Sequence, residues 1–586
     1  MTAAGWHLSF GANLIDRDRT RFRLWAPAQS AVAIAIEDRA TEPMTRNAEG
    51  WFEAEMNCGA GTRYRYILQD GTAVPDPASR AQSGDIHGFS VVVDPSHYRW
   101  RHRQWQGRPW TEAIIYELHA GLLGGYAGVA RELPRLAALG ITAIELMPIA
   151  EFPGSRNWGY DGALPFAPEC SYGTSEDLKA LVDAAHDHEI SIFLDVVYNH
   201  FGPDGNYLSL YAPQFFRDDV ATPWGPAIDF RRREVRRFFT DNALYWLNEF
   251  RFDGLRFDAV HAITETDWLE EMAAAVRKSV APGRQVHLVL ENDNNDASLL
   301  DGPFDAQWND DGHHVLHVLL TGEHDGYYED YESDPALRLA RGLKDGFVYQ
   351  GEASKHRGGK PRGTPSGNLP PTAFVLFLQN HDQIGNRAFG ERLTVLADPR
   401  ALEAAIALQL LCPQIPLLFM GEETASVSPF LFFTDHNAEL AKAVREGRRR
   451  EFMGFSQFSD PALLAKLADP NEVSTFDRSK PEPDADRGPR REELYRKLIG
   501  IRRSEIVPRL AGARAVNARA VGDKAVVAHW RMGDNALLTI GTNLGADSVA
   551  MPMHQGRIIF ASSPAAAESC HAGRLEPYAT VAVLAA

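Results

Sequence analysis

Cysteine is scarce: Cys58, Cys170, Cys412 and Cys570 are the four in 586 residues. They lie far apart with no CxxC spacing, which excludes a disulfide framework and offers no zinc pattern. Long apolar runs are missing as well. No stretch approaches the ~20 apolar residues that cross a bilayer. The opening MTAAGWHLSFGANLIDRDRT lacks the basic start and apolar run of a secretion signal, so a cytoplasmic protein is expected. Positive charge is in deficit, with 60 Lys and Arg against 78 Asp and Glu and a formal net charge of -18. That balance argues against nucleic acid or an anionic membrane as a partner. Internal repeats are absent too. A composition 44% hydrophobic and 24% charged excludes disordered, collagen-like and coiled-coil classes. What is left is a large globular chain, long enough for roughly two to four domains.

Residues 1–98 carry short β-prone runs, RFRLWA, VAIAI and YRYIL, parted by polar or Gly-containing turns, and predict an N-terminal β-sandwich. A polar, tryptophan-bearing connector follows from Tyr98 to Trp110. From there, short runs apolar throughout alternate with amphipathic helical stretches: IIYEL, AIELM, ISIFLDVV, GLRFD, VHLVL, the run around Ala306 to Trp308, AFVLFL and PLLFM. An open doubly wound sheet could alternate in this way. With eight such units and no GxGxxG turn, the pattern favours an α/β class chain whose residues 99–495 close into a (β/α)8 TIM barrel. The polar tract Ser474 to Glu493 reads as a surface excursion, and Gly351 to Pro371, rich in Gly and Pro, as a mobile loop or lid. Residues 496–586, with AVVAHW, ALLTIG, RIIFA and TVAVL, predict a C-terminal β-sandwich domain.

In such a barrel the chemistry sits just past the C-terminal ends of the strands. Asp195, Asn199 and His200 follow the third run, Arg256 and Asp258 end the fourth, Glu291 follows the fifth, and His381 and Asp382 follow the seventh. A lone Asp at a strand end more often caps a turn or pairs with a cation. Several acids on one rim shift the balance toward glycoside hydrolysis, which needs one carboxylate as nucleophile or base and one carboxylic acid as proton donor. Asp258 and Glu291 fit that pair. Arg256, two residues before Asp258, shares its strand face and would hold that carboxylate ionised. Asp195 reads as a structural partner of Arg256, and Glu117 and Glu145 as structural. His200 and His381, taken alone, could serve either structure or binding. Tyr160, in the Gly-containing NWGYDG loop, could present an aromatic face to a sugar ring.

DVVYNH, GLRFDAVH, LEND and LQNHDQ resemble, in order and spacing, the four signature regions of the α-amylase family, glycoside hydrolase family 13. Further stretches such as ELMPIAEFPGSRNWGYDG, AQWNDDGHHVLHVLLTGE and PLLFMGEE extend the resemblance over nearly the whole chain. They point to members that act on trehalose-ended chains. RFRLWAP is similar to the N-terminal sandwich of isoamylases and branching enzymes. The resemblance implies a retaining hydrolase that cleaves the α-1,4 bond next to a terminal trehalose unit. It assigns Asp258 as nucleophile, Glu291 as proton donor and Asp382 as transition-state stabiliser. It also makes Tyr160, His200, Arg256, His261, Thr321, Glu323, His381, Gln383 and Asn386 substrate-binding residues. No cofactor is implied. Asn199 matches a position that binds calcium in some relatives, but no cluster of oxygen ligands accompanies it, so no metal is expected.

Two departures stand out. The loop after the first run, HAGLLGGYAGVA, is shorter than usual in the family, and Thr424 stands where a Trp is usual. Both bear on outlying glucose subsites and predict an altered chain-length preference. A branching transferase or debranching hydrolase of the same family, and a non-catalytic glucan-binding protein, are the competing readings.

Overall fold

The structure is a computed structural model, and it describes residues 8–453, 461–551 and 556–586. Eight parallel strands close into a barrel in chain order: β1 (Ile115–Leu118), β2 (Ala143–Leu146), β3 (Ser191–Val196), β4 (Gly254–Phe257), β5 (His287–Leu290), β6 (Ala306–Trp308), β7 (Phe374–Phe377) and β8 (Ile415–Phe419). Every one of these strands is buried along its whole length. This is why they read as continuous apolar runs: helices cover the outer face, and Ile115, Phe193, Val289, Trp308, Val375 and Leu417 pack within one inner cluster. The expected barrel is therefore present, strand for strand.

The crossover helices have the cues that amphipathic helices need. Helix Ser175–Asp187 starts with a reciprocal capping box between Thr174 and Asp177, and buries Leu178, Leu181, Val182 and Ala185 on one face. Helix Gly125–Leu139 buries Val129, Leu133, Leu136 and Leu139 and stops at Gly140, whose φ of 105° suits glycine.

Two β-rich units flank the barrel. The N-terminal one has two antiparallel sheets, one built on Arg19–Trp25 and Trp51–Met56, the other on Val32–Ile36 and Arg63–Leu68. Phe22, Leu24, Ile34, Phe52 and Tyr66 are fully buried in its core. It is tied to the barrel by Ser9 N donating to Asp241 Oδ2 (2.9 Å) and by the Phe10 ring, 5.0 Å from that of Phe238. The C-terminal unit holds a five-stranded sheet in the order Arg514–Gly522, Ala525–Arg531, Leu537–Asn543, Ala579–Ala585, Arg557–Ala561, and a second sheet of two short strands, Val549–Ala550 and Arg574–Leu575. Thr580 Oγ1 donates to Ala404 O (2.7 Å), joining it to barrel helix Pro399–Leu411. Among the described residues, no helix is long and apolar enough to cross a membrane.

Two expectations are corrected. The tract from Ser474 to Glu493 lies largely at the surface but is more than an excursion: it holds most of helix Val473–Arg478 and the start of helix Gly488–Ile501, which spans residue 495. Thr475 and Ser479 are buried there, and Asp484 N donates to Thr424 O beside β8. Gly351 to Pro371 is held down. Strand Glu352–Ala353 pairs with Pro361–Arg362, Ser354 Oγ donates to Asp330 Oδ2 (2.6 Å), and Arg362 is buried among Asp293, Asp311 and Tyr331.

Candidate active site

Arg256, at the end of β4, is the centre of the rim. Its side chain is wholly buried, with the guanidinium carbon 4.1 Å from the centroid of the Trp308 ring. Nη1 donates to Asp195 Oδ2 (2.7 Å) and Asp258 Oδ1 (3.1 Å), and Nη2 donates to Glu291 Oε2 (2.8 Å). Acids from the ends of β3, β4 and β5 thus meet on one planar cation, a geometry that a guanidinium fork provides and an ammonium does not. Burial opposes the charge on Arg256, but Asp195 and Glu291 outweigh it and hold the guanidinium firmly protonated. Burial raises the Asp195 carboxyl to about 7 in spite of Arg256.

Backbone geometry supports this cluster. Ala259, directly after Asp258, has φ 40°, a left-handed conformation costly for a residue with a Cβ. In that conformation its N–H donates to Glu291 Oε2 at 2.8 Å. Asn199, past the end of β3, donates from Nδ2 to both Asp258 Oδ2 (2.6 Å) and Asp258 O (2.9 Å). Its Oδ1 meets His200 Nδ1, and His200 Nε2 lies 2.9 Å from Tyr160 O. Tyr160 OH donates to Asp195 Oδ2 (2.6 Å), and its ring stacks on His381 at 5.1 Å. Gly159 makes this turn possible, since its φ is 105° and a Cβ there would lie 2.0 Å from Pro148 O.

At the end of β7, His381 Nδ1 meets Glu117 Oε1 from β1, and the His381 backbone N–H donates to Glu117 Oε2 at 3.1 Å. His381 Nε2 lies 3.5 Å from Asp382 Oδ1, which also accepts from Asn386 Nδ2 (3.2 Å). Gln383 Nε2 donates to Asp310 Oδ1 (3.4 Å), and Tyr327 OH donates to Gln383 Oε1 (3.4 Å). Burial works against a charge on His381, but Glu117, followed by Asp382, raises it to about 9.

The remaining expected residues lie further out. His261 Nδ1 accepts the Asp293 N–H at 3.3 Å in the turn after β4. Thr321 Oγ1 donates to His317 O, closing helix Asp310–Thr321. Glu323 accepts from both Arg387 Nη1 and Nη2 (2.7 and 3.0 Å) and lies 2.7 Å from His317 Nε2. Thr321 and Glu323 thus bond to helix and rim partners, not to the carboxylates on Arg256. The structure adds Trp224, which sequence reasoning missed: its half-exposed ring stacks 5.0 Å above His200 with planes 11° apart. The calcium position does not fit its ion, because the Asn199 amide is committed to Asp258 and His200. Among the described residues, the one grouping of His, Cys, Asp and Glu close enough to share a metal ion is Glu151, Glu169 and Cys170, in the segment that follows β2.

Residues 94–213 match the catalytic domain of alpha amylase, and residues 513–582 match a domain of unknown function, DUF3459. With the closed barrel and the acids at its rim, this makes the chain a glycosidase of the alpha-amylase type. Over 500 residues it is 42% identical to the malto-oligosyltrehalose trehalohydrolase of Deinococcus radiodurans, covering 83% of this chain and 82% of that one. Over 490 residues it is 42% identical to the enzyme of that name from Saccharolobus solfataricus, covering 81% and 83%. The chain belongs to the malto-oligosyltrehalose trehalohydrolase family. A crystal structure from Salmonella typhimurium, described as a candidate alpha amylase, superposes with a TM-score of 0.92 at 41% identity, covering 99% of this chain and 100% of that one.

Proposed function

We propose that the protein hydrolyses the α-1,4-glucosidic bond next to the terminal trehalose of maltooligosyltrehalose, releasing trehalose and a maltooligosaccharide. The observation that carries this reading is the Arg256 fork, which holds Asp258 and Glu291 at adjoining nitrogens of one buried cation. Glu291 passes a proton to the glycosidic oxygen while Asp258 Oδ attacks the anomeric carbon, and trehalose leaves with the proton. Water then adds to that carbon as Glu291 takes back a proton, and the Asp258 ester opens with retention. Arg256 and the Asn199 amide hold the attacking carboxylate in place. Asp382, beside His381 and Asn386, is assigned to the hydroxyls of the distorted sugar, and Tyr160 to its ring face. His200 and Gln383 extend the polar contacts along the rim, with His261, Thr321 and Glu323 in the outlying subsites.

In this reading the unit 99–495 carries the chemistry and the units 1–98 and 496–586 brace it. The reaction belongs to trehalose biosynthesis in the cytoplasm. The test is product chromatography after incubation with maltooligosyltrehalose, plain maltooligosaccharide and amylose, beside an Asp258→Asn control. Free trehalose from the first substrate, lost in the control, is the expected result. Branching of amylose without trehalose release would replace the hydrolase by a transferase.

A further inference from the structure

We infer that Glu117, on the first barrel strand, is a positioning residue: it clamps His381 so that the imidazole presents an Nε2–H to Asp382 and to the sugar hydroxyl beside it. The inference rests on the reading of His381 and Asp382 as sugar-binding residues.

The clamp has two points. Glu117 is buried at 1% exposure, one oxygen on the His381 ring and the other on its backbone N–H. Carboxylate oxygens only accept, so the Nδ1 facing Glu117 carries a hydrogen. The opposite nitrogen lies 3.5 Å from a second carboxylate, Asp382, whose charge also favours a proton on the ring. The ring cannot turn away from this arrangement. Tyr160 stacks on it, and the edge contact with Trp158 has centroids 5.5 Å apart.

The charged and titratable groups around His381 are His119 past the end of β1, Glu145 on β2, Tyr160, Asp195 on β3, Arg256 on β4, and Asp382. Arg256 opposes a proton on the ring, and burial opposes it more strongly. His119 shows what burial does without a carboxylate partner: it is equally enclosed, its Nε2 faces a backbone carbonyl, and burial lowers it to about 4. Glutamine at 117 would keep the shape and remove the charge. Its amide oxygen would still accept from Nδ1–H, but Nε2 would then be a bare acceptor facing Asp382.

The experiment is the pH dependence of kcat/KM on maltooligosyltrehalose for wild type, Glu117→Gln and Glu117→Asp. The alkaline limb of Glu117→Gln is expected to move down by more than one pH unit, with activity recovering toward pH 6, while Glu117→Asp keeps most of the wild-type limb. A Glu117→Gln limb that does not move, with kcat/KM reduced by one factor at every pH, overturns the inference. If Glu117→Gln fails to fold, the wild type decides: with [13Cε1]histidine and the His381 signal assigned by its loss in His381→Gln, the ring should read as imidazolium through pH 8. A neutral ring at pH 7 overturns the clamp. This measurement uses no substrate, so a wild type that releases no trehalose would refute the proposed activity while leaving the clamp tested.

Discussion

Arg256 reaches Glu291 through Nη2 at 2.8 Å while its Nη1 reaches Asp258 at 3.1 Å, so the two acids assigned to bond cleavage are set by one rigid plane. Lysine keeps the charge but offers a single point, which cannot fix both carboxylates and Asp195 together. Arg256→Lys is therefore expected to lower kcat by ~10²-fold, the scale of a small misplacement of reacting groups, with a smaller change in KM. Steady-state kinetics, with circular dichroism to confirm folding, checks this. A wild-type kcat would show that the fork does not set the acids.

Removing either acid tests its role separately. Glu291→Gln should reduce kcat by about 10²–10⁴-fold, the range of a positioned acid or base, and Asp258→Asn by at least as much, because it removes the covalent step. The double displacement also fixes stereochemistry: the new reducing end of the released maltooligosaccharide must first be the α-anomer. Proton NMR in the first minute of reaction, before mutarotation, reads this directly, and β-anomer appearing first would mean direct attack by water.

The barrel was legible because its strands are buried on both faces and end in polar residues, so apolar runs and the residues just past them carry different information. Arg256 and Asp258 could be paired from their two-residue spacing alone. Glu117 could not, because its partner His381 lies 264 positions away and a single carboxylate at a strand end looks like any salt-bridge partner. Trp224 was missed since it sits in a hairpin, Phe216–Thr222 with Gly225–Ile228, that has no apolar periodicity. Strand Arg514–Gly522 went unread because none of its residues is fully buried, leaving a polar pattern. The Gly- and Pro-rich composition of Gly351 to Pro371 suggested mobility, while the arginines that pin it act through partners remote in sequence.

Arg362 is the main pin. Its Nε donates to Asp293 O (2.8 Å), and its Nη1 donates to Asp311 Oδ1 (3.0 Å) and to Tyr331 Oη (2.6 Å), with Asp311 completely buried. Arg362→Met leaves that aspartate without its cation and should cost about 3–5 kcal/mol, as breaking a buried pair does. Urea denaturation measures the loss. Limited proteolysis should cut between 351 and 371 in the variant and spare that segment in the wild type.

Glu145 gives a stability prediction of opposite sign. Its carboxyl is fully buried on β2, and neither oxygen has a hydrogen-bond partner among the described residues. Burial, reinforced by Glu117 and Asp195, pushes it well above the usual carboxyl range. A carboxyl raised in the folded state binds its proton more tightly there than in the unfolded chain. Folding stability therefore falls as pH rises from about 4.5 toward the raised value, by ~1.4 kcal/mol per pH unit. Glutamine has nearly the same shape and no titration. Glu145→Gln should match the wild type near pH 5 and exceed it in stability at pH 8, the gap widening with pH. Paired urea titrations at those two values test this, and a constant difference between the proteins would mean that Glu145 ionises in the fold as readily as in water.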